Sequence, residues 1–258
     1  MGQSDGRYRG ARNHTMTLTI HPIDGVPEAR PGDDLGALIG QALEVSGWTP
    51  SPEDVVAVTQ KLVSKAENRI VHLKDVDPSP ESLRIAETST KDVRLIEVIL
   101  RESRRVVRHR QDVLITETRH GFVCANAGVD LSNVEGRDVV TLLPLDPDRS
   151  ASKLADRFGC GVIVTDTFGR PWREGLVDVA IGIARVPALV DLRGTFDRHG
   201  YQLRASLLAT ADALAAVAGL AMGKTEGIPA VLIRGYEWEP SEQTARVLVR
   251  DAKKDLFR

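Results

Sequence analysis

The chain has 258 residues, with 34 Lys and Arg against 36 Asp and Glu, and a formal net charge of −2. This length allows one large domain or two smaller subdomains, and the balanced charge argues against a nucleic-acid partner. The two cysteines, Cys124 and Cys160, are far from any CxxC spacing. We therefore expect neither a disulfide framework nor a structural zinc site, and a reducing cytoplasm fits this composition.

Hydropathy predicts a polar tail at residues 1–15 and argues against a membrane-spanning helix. Residues 1–15 are polar and glycine-rich and lack the apolar core of a signal peptide, so we expect a flexible tail on a cytoplasmic protein. The longest apolar region, residues 207–222, contains Asp212 and is too short to span a bilayer.

Apolar periodicity predicts the first half of the fold in chain order. It predicts a strand over 16–20, a helix over 34–45, a strand over 55–58 followed by a polar turn, an amphipathic helix over 91–106, and strands over 113–116, 122–125 and 139–143. A turn at 146–148 precedes a short helix, which Ser150 or Ser152 is expected to cap.

The second half contains three strand-like segments and two helical ones. The strands are predicted over 162–164, 177–186 and 230–233, and the helices over 204–222 and 241–256. Strands and helices alternate irregularly, with no repeating βα unit. We therefore predict an α+β fold of two interlocked subdomains without a linker over residues 16–258, and not a P-loop or Rossmann fold.

The segment 161–175, GVIVTDTFGRPWREG, combines two kinds of ligand-binding residue. Its apolar strand ends at Asp166 and Thr167, whose oxygens suit a hard divalent cation. Arg170 and Arg173 follow, and guanidinium groups bind phosphate or carboxylate in bidentate fashion. A strand end with a charged turn is the alternative. The combination favours a site that handles phosphoryl groups.

Two other strand ends carry polar residues of the same kind. Asp130 and Asn133 follow a predicted strand three residues apart, so both can face one ligand, with backbone capping as the alternative. Lys65, on the turn after the strand at 55–58, can neutralise a phosphate, or be merely exposed. A metal–triphosphate site requires acidic ligands for the cation. Asp130 and Asp166, each at the end of a different strand, can supply them.

The segment 221–225, AMGKT, is not a Walker A loop, although it ends in Gly-Lys-Thr. Gly219 is one residue too close to Gly223, and the segment ends a helix instead of beginning one. Gly223 is then a helix-terminating residue. A glycine-containing loop that lies against a nucleotide stays open as the alternative.

Together these segments resemble the coenzyme F420-0:γ-glutamyl ligase family. The matching stretches are GVPEARPGDD at 25–34, VSKAE at 63–67, ANAGVD at 125–130 with Ser132 and Asn133, DPD at 146–148, DTFGRPWR at 166–173 and GIPA at 227–230. They occur in order from about residue 20 onward, and the set is more specific than any one motif.

The resemblance implies a GTP-dependent ligase that adds L-glutamate to the lactyl phosphodiester tail of coenzyme F420-0 and releases GDP and phosphate. It also implies Mg²⁺ or Mn²⁺ as two divalent cations, K⁺ as an activator, and an intertwined homodimer. Asp130 and Asp166 correspond to ligands of the first cation, and Thr167 to a ligand of the second. The implied GTP contacts are Val26, Pro27, Glu28, Ala29, Gln60, Lys65, Asn133, Met222, Gly223, Lys224, Thr225, Glu226, Gly227 and Ile228.

This chain departs from the family pattern at Lys224, where relatives often carry Gln or an acidic residue. A protonated lysine cannot ligate a cation, which puts a second-cation role there in doubt, and Glu226 is the alternative after a shift of the loop. The flavin-binding redox domain of some bacterial relatives is not in this chain, and a separate redox partner is left open.

The chemistry predicts an acyl-phosphate route, because a carboxylate is a poor electrophile until GTP phosphorylates it. The cations and Lys65 would then stabilise the phosphoryl transition state, while Arg170 and Arg173 orient the anionic tail or glutamate; structural ion pairs are the alternative for the arginines. The competing functions are a metal-dependent nucleotide phosphohydrolase and a noncatalytic GTP-binding protein.

Overall fold

The computed structural model describes residues 16–131 and 138–256, so the predicted tail at 1–15 and the predicted GTP contact Asn133 lie outside the described residues. The helices are α1 (Leu35–Val45), α2 (Gln60–Ala66), α3 (Pro80–Ala86), α4 (Val93–Arg101), α5 (Pro147–Phe158) and α6 (Thr210–Met222). The strands are β1 (Thr19–Pro22), β2 (Val55–Thr59), β3 (Ile70–His72), β4 (Ser103–Arg110), β5 (Val113–Thr118), β6 (Val123–Ala125), β7 (Val139–Thr141), β8 (Gly161–Arg170), β9 (Arg173–Ala184), β10 (Val190–Asp191), β11 (Leu207–Leu208) and β12 (Ala230–Arg234).

A five-stranded mixed sheet in the order β1–β12–β2–β8–β9 is the largest sheet among these strands. Strands β2 and β8 are parallel, with Val56 beside Val162, and the other neighbours in this sheet are antiparallel. A doubly wound fold would instead need a series of parallel strands joined by helical crossovers. The mixed sheet confirms the predicted α+β class.

Both faces of this sheet are buried, because its central strands are apolar at successive positions. Val56 and Val162 pack on one face with residues of α1, α2 and α5. Val55 and Ile163 pack on the other face with residues of α6. Each such side chain contributes about 1.5–3 kcal/mol when it is fully buried. The two apolar layers therefore hold the ends of β2 and β8 in fixed positions.

A third apolar cluster lies in residues 71–142 and is organised around α4. Ile96 and Ile99 of α4 are fully buried there, in the same cluster as Leu114 of β5 and Val140 of β7. Strands β4, β5 and β6 form one small sheet, and β3 pairs with β7. The division into two subdomains stays a prediction.

Two of the predicted helices are shorter in the structure. The helix predicted over 91–106 ends at Arg101, because Ser103–Arg110 pairs with β5 as an antiparallel strand. The helix predicted over 204–222 begins only at Thr210. In both places, strand pairing with a distant segment overrides the local helical pattern.

The terminal helix predicted over 241–256 is wrong. The described part of this segment contains two 3₁₀ turns, Ala245–Leu248 and Ala252–Lys254. The N–H of Ala245 donates to Asp148 Oδ1 at 2.9 Å, so a side chain replaces the helical carbonyl as acceptor. The predicted serine cap of α5 is also wrong, since Asp146 caps it by accepting from the Arg149 N–H.

The membrane and cysteine predictions can be compared with the structure directly. Among residues 16–131 and 138–256, none of the helices has the length and apolar character needed to cross a membrane. Cys124 and Cys160 are both buried, and burial raises the pKa of each thiol to about 12. Thiols that stay protonated are poor nucleophiles, and their burial confirms that both are small core side chains.

Asp54 ties the turn before β2 to the end of β12. Its buried carboxylate accepts hydrogen bonds from Arg234 Nε and Nη2 at 2.8 and 2.7 Å, and from the Ser51 N–H at 2.7 Å. Burial alone would raise the pKa of Asp54, but the hydrogen bonds from Arg234 and Ser51 outweigh it and lower the pKa.

We expect Asp54→Asn to lower the free energy of unfolding by about 2 kcal/mol at pH 7. This is the low end for a buried pair, since the Arg234 side chain is 40% exposed and water screens it. Because the folded pKa of Asp54 is lowered, its contribution is full above the unfolded pKa and is lost as the pH falls through the folded pKa. Urea unfolding from pH 7 to pH 3 measures this, and a gap between the two proteins that does not narrow would contradict it.

Candidate functional site

An open cleft of about 530 Å³ lies at the carboxyl end of β2, where α2 begins. Most of the residues predicted to bind nucleotide or cation line it: Val26, Pro27, Glu28, Gln60, Lys65, Asp166, Thr167, Met222, Gly223, Lys224, Thr225, Gly227 and Ile228. Ala29, Asp130, Arg170, Arg173 and Glu226 are not part of its lining. Segments that are up to about 200 residues apart in sequence therefore meet in one cleft.

The first wall of the cleft is α2, which replaces the polar turn predicted after β2. Lys65 lies on this helix, and its side chain is only 8% exposed, so it is not an ordinary surface lysine. It forms an ion pair with Glu28, whose side chain is 74% exposed. Gln60 is buried, and its Oε1 accepts a hydrogen bond from Ser64 Oγ at 2.9 Å. A buried lysine beside an exposed carboxylate leaves a positive group available to an anion that displaces the carboxylate.

The second wall is the β8–β9 hairpin. Strand β8 continues through Asp166 and Thr167 to Arg170, whereas the sequence predicted that it would end at Asp166. The pairing with β9 shifts between Val164 and Thr165, as at a β-bulge, and bulges commonly re-aim side chains beside functional sites. Beyond the shift, Thr167 pairs directly with Asp178 of β9.

Asp178 is a site residue that the sequence analysis missed. Its side chain is 8% exposed, lines the cleft and accepts a hydrogen bond from Thr167 Oγ1. Lys224 Nζ lies 2.5 Å from Thr167 Oγ1 and 3.4 Å from Asp178 Oδ1. The available signal was a carboxylate within the otherwise apolar stretch VDVAIGIA, which is unusual for a strand buried by a helix.

Asp130 and Asp166 come close enough to influence each other electrostatically. Lys61 Nζ lies 2.8 Å from Asp130 Oδ2. The pKa of Asp166 is raised to about 7: burial is the largest cause, the charges of Asp130 and Asp178 act in the same direction, and the Thr167 N–H and Lys61 oppose them. A carboxylate that resists ionisation beside another carboxylate is a group that a cation would stabilise in its charged form.

A left-handed turn delivers the chain to Asp130. Asn126, Ala127 and Gly128 have φ values of 54°, 54° and 73°. This left-handed conformation is strained for Asn126 and Ala127, which have a Cβ, but not for Gly128. A Cβ at Gly128 would lie 2.6 Å from the side chain of Leu143. The backbone of Asp130 then pairs with Thr141 through two hydrogen bonds of 3.0 and 2.9 Å, which anchors the carboxylate.

The loop after α6 forms the third wall of the cleft. Met222 is the last residue of α6, and Gly223 follows with φ 60°. Glu226 folds back on this loop, where its Oε2 accepts a hydrogen bond from the Thr225 N–H at 2.9 Å. Lys224 points the other way, to Thr167 and Asp178. The loop therefore presents a lysine, and not a carboxylate, to β8.

The two predicted arginines lie farther along the hairpin. Arg170 ends β8 and donates through Nη2 to the backbone carbonyl of Glu174, and Arg173 begins β9 and is exposed. The Nε of Arg170 is buried and has no hydrogen-bond partner. The structure thus keeps both arginines on the element that carries Asp166, but outside the cleft lining.

Among the described residues, no group of three or more His, Cys, Asp or Glu side chains is placed to hold a metal ion. Mg²⁺, however, is commonly bound by one or two carboxylates together with phosphate oxygens of the substrate. Asp166 and Asp130 fit that arrangement, since both are carboxylates and their charges interact. The cleft is lined by three lysines and by Asp166, and Lys61 connects it to Asp130, so it suits a polyphosphate that carries a cation.

Comparisons with known proteins find relatives over most of the chain. A family model described as F420-0:Gamma-glutamyl ligase matches residues 25–235. Coenzyme F420:L-glutamate ligase of Methanothermobacter thermautotrophicus is 43% identical over 252 residues, which are 94% of this chain and 100% of that protein. The protein of the same description from Methanopyrus kandleri is 45% identical over 253 residues, 94% of this chain and 98% of the relative. That from Methanocaldococcus jannaschii is 38% identical over 212 residues, with 80% and 84% covered.

Proposed function

The chain belongs to the F420-0:gamma-glutamyl ligase family, and from this premise we propose that it joins L-glutamate to coenzyme F420-0 at the expense of GTP. The bond formed first is an amide to the carboxylate of the coenzyme tail, and further glutamates follow through γ-linkages. The observation that carries the proposal is that Lys65, Asp166, Thr167 and the loop at 222–228 line one cleft.

The chemistry of amide formation sets the order of steps. A carboxylate oxygen of F420-0 attacks the γ-phosphorus of GTP, GDP leaves, and an acyl phosphate forms. The neutral amine of glutamate then attacks the acyl carbon, phosphate leaves, and the amine gives up its extra proton. A divalent cation, when bound, would offset the charge on the phosphate oxygens during this transfer.

The residues of the cleft have distinct roles in this proposal. Asp130 and Asp166 would hold the cation, and Lys65 would bind a phosphate of GTP in place of Glu28. Gln60, Val26, Pro27 and the loop after α6 would contact the rest of the nucleotide. Ala29 is buried, so any contact it makes would come through its backbone.

The remaining parts of the proposal rest on family resemblance and chemistry. Arg170 and Arg173 would orient the anionic coenzyme tail or the incoming glutamate. The buried, unpartnered Nε of Arg170 supports a role for this side chain in binding an acceptor. Activation by K⁺, a homodimeric assembly and a cytoplasmic location belong to the same proposal.

The experiment that tests the function is mass spectrometry of F420-0 after incubation with the protein, GTP, Mn²⁺ and glutamate. We expect successive glutamyl additions to the coenzyme, with GDP formed only when glutamate and F420-0 are both present. GDP release in the absence of glutamate would instead indicate a nucleotide phosphohydrolase. Binding of GTP without turnover would indicate a noncatalytic protein.

The packing of Asp178 against α6 gives a separate prediction. A Cβ added at Gly219 of α6 would overlap the carboxylate of Asp178. We therefore expect Gly219→Ala to displace Asp178 and lower the glutamylation rate by about 10-fold or more. The matched control is Gly40→Ala in α1, where the nearest atom of Phe158 is 4.0 Å away.

Both variants are followed by the same glutamylation assay and by thermal unfolding. Gly40→Ala should keep full activity and gain up to about 1 kcal/mol, because alanine favours a helix more than glycine does. Equal activity of the two variants would show that the position of Asp178 does not matter for the reaction.

A further inference from the structure

The ammonium group of Lys224 occupies a position between two oxygen groups of the β8–β9 hairpin. Its Nζ lies 2.5 Å from Thr167 Oγ1 and 3.4 Å from Asp178 Oδ1. Asp178 is nearly buried, whereas the Lys224 side chain is 62% exposed along its length. The ammonium of Lys224 is thus the positive charge beside the buried carboxylate of Asp178, although most of the Lys224 side chain is exposed.

A divalent cation bound at Thr167 would have to lie beside the same two oxygens, Thr167 Oγ1 and Asp178 Oδ1. Thr167 Oγ1 already donates to Asp178 and accepts from Lys224, while a protonated lysine has three donors and no lone pair to offer a metal. A Mg²⁺ at about 2.1 Å from this hydroxyl would lie within about 5 Å of the ammonium. Like charges at that distance, beside a nearly buried carboxylate, repel strongly. The residues at Thr167 therefore do not fit a divalent cation while Lys224 is in place.

Glu226, the neighbouring acidic residue, does not make Thr167 suitable for a divalent cation. Glu226 was the alternative ligand, but its carboxylate is engaged with the Thr225 N–H. It also lies against Gly223, since a Cβ at Gly223 would overlap it. An approach to Thr167 would need a rearrangement of the loop that also moves Lys224.

The two sets of acidic groups lie on different faces of β8. Alternation along β8 places Asp166 on the face of Val164, which packs towards α2, and Thr167 on the face of Ile163, which packs towards α6. Lys61 and Asp130 accompany Asp166, and Lys224 and Asp178 accompany Thr167. Each group thus contains a lysine, and in the second group the lysine contacts the Thr167 hydroxyl that the family resemblance assigns to a cation.

We propose that the ammonium of Lys224 replaces a second divalent cation, so that this chain takes one divalent cation, at Asp130 and Asp166, where the family resemblance implies two. The inference rests on the proposed nucleotide-dependent function, in which Lys224 then serves as a fixed positive charge beside the phosphates. The inference predicts that a second divalent-cation site forms when position 224 loses its positive charge. Replacement of Lys224 by another positively charged side chain should not create that site.

The experiment counts Mn²⁺ per chain in the full-length protein, with and without a non-hydrolysable GTP analogue, from the signal of free Mn²⁺ in electron paramagnetic resonance. Neither glutamate nor F420-0 is added, so a failure of ligation does not affect the count. Wild type and Lys224→Arg should bind one Mn²⁺. Lys224→Gln, which can offer a carbonyl oxygen, should bind two in the presence of the analogue.

Two results would overturn the inference. One is a wild-type protein that binds two Mn²⁺ per chain. The other is a Lys224→Gln variant that binds no more Mn²⁺ than wild type, while its thermal unfolding shows that it is folded. If the counts agree with the inference but F420-0 is not glutamylated, the proposed function fails and the cation inference stands.

Discussion

Replacement of Asp166 with asparagine is expected to lower the glutamylation rate by about 10²–10³-fold without lowering the stability of the fold. The amide has nearly the same shape and keeps an oxygen to accept from the Thr167 N–H, which now donates to Asp166 Oδ1 at 2.8 Å. What is lost is the negative charge that would hold the divalent cation against the phosphates. Mass spectrometric quantification of glutamylated F420-0 at saturating Mn²⁺ measures the rate.

The stability of the same variant should depend on pH in a defined direction. The pKa of Asp166 is raised to about 7 from 3.8, so ionisation costs stability in the folded state. In cation-free buffer, wild type should therefore lose stability relative to Asp166→Asn as the pH rises from about 4 to about 7, with a constant gap above that. Linkage sets an upper bound of about 4 kcal/mol on the gap, and solvent access to this half-buried group reduces it.

Asp212→Asn is the matched control for this experiment. Burial also raises the pKa of Asp212, whose Oδ1 accepts from the Ala180 N–H at 3.0 Å, but the residue lies outside the 530 Å³ cleft. It should show the same direction of stability change and full activity. An Asp166→Asn protein that is fully active, or one that unfolds more easily than wild type at pH 8, would contradict the assignment.

Replacement of Lys65 with methionine is expected to weaken GTP binding by about 10–100-fold, the usual range for loss of one charge-assisted hydrogen bond. Methionine keeps most of the apolar stem that α2 buries, so the helix should retain its packing. Because the ammonium now pairs with Glu28, its loss also removes the partner of an exposed carboxylate, which stays solvated. Isothermal titration calorimetry with GTP measures the affinity.

Glu28→Gln separates the role of Lys65 from that of the ion pair. If the Lys65–Glu28 ion pair served only to hold the fold, Lys65→Met and Glu28→Gln would lower GTP affinity and stability to the same extent. We expect Glu28→Gln instead to bind GTP at least as tightly as wild type, since a carboxylate that competes with phosphate is gone. Unchanged GTP affinity in Lys65→Met would rule out the proposed phosphate contact.

Several features of this fold follow from short-range patterns. The helix predicted over 34–45 is α1, and the side chain of Asp34 caps it in the structure. The apolar runs within β2, β8 and β12 predict strands, and the structure has strands there. Such elements are predictable because their cause, a local apolar period, lies within a few residues of chain.

Other features depend on contacts between distant segments and were predicted incorrectly. The end of α4 and the absence of a helix at Ala245–Leu248 follow from pairing with β5 and from a hydrogen bond to Asp148. The sequence also left open whether Lys65 is merely exposed or faces a ligand. Its burial depends on how α2 packs, which no local pattern encodes.

The amino-acid sequence by itself determined the α+β class, the family and most of the residues that line the cleft, because ordered motifs and apolar periods are properties of the chain alone. Only the tertiary structure brought Asp178 opposite Thr167, placed Lys224 on both, and coupled Asp130 to Asp166. These contacts depend on the register of β8 against β9, including its shift, and on the direction of the loop after α6. A one-residue change in that register would turn Asp178 to the other face of the sheet, so no reading of the individual strands can predict it.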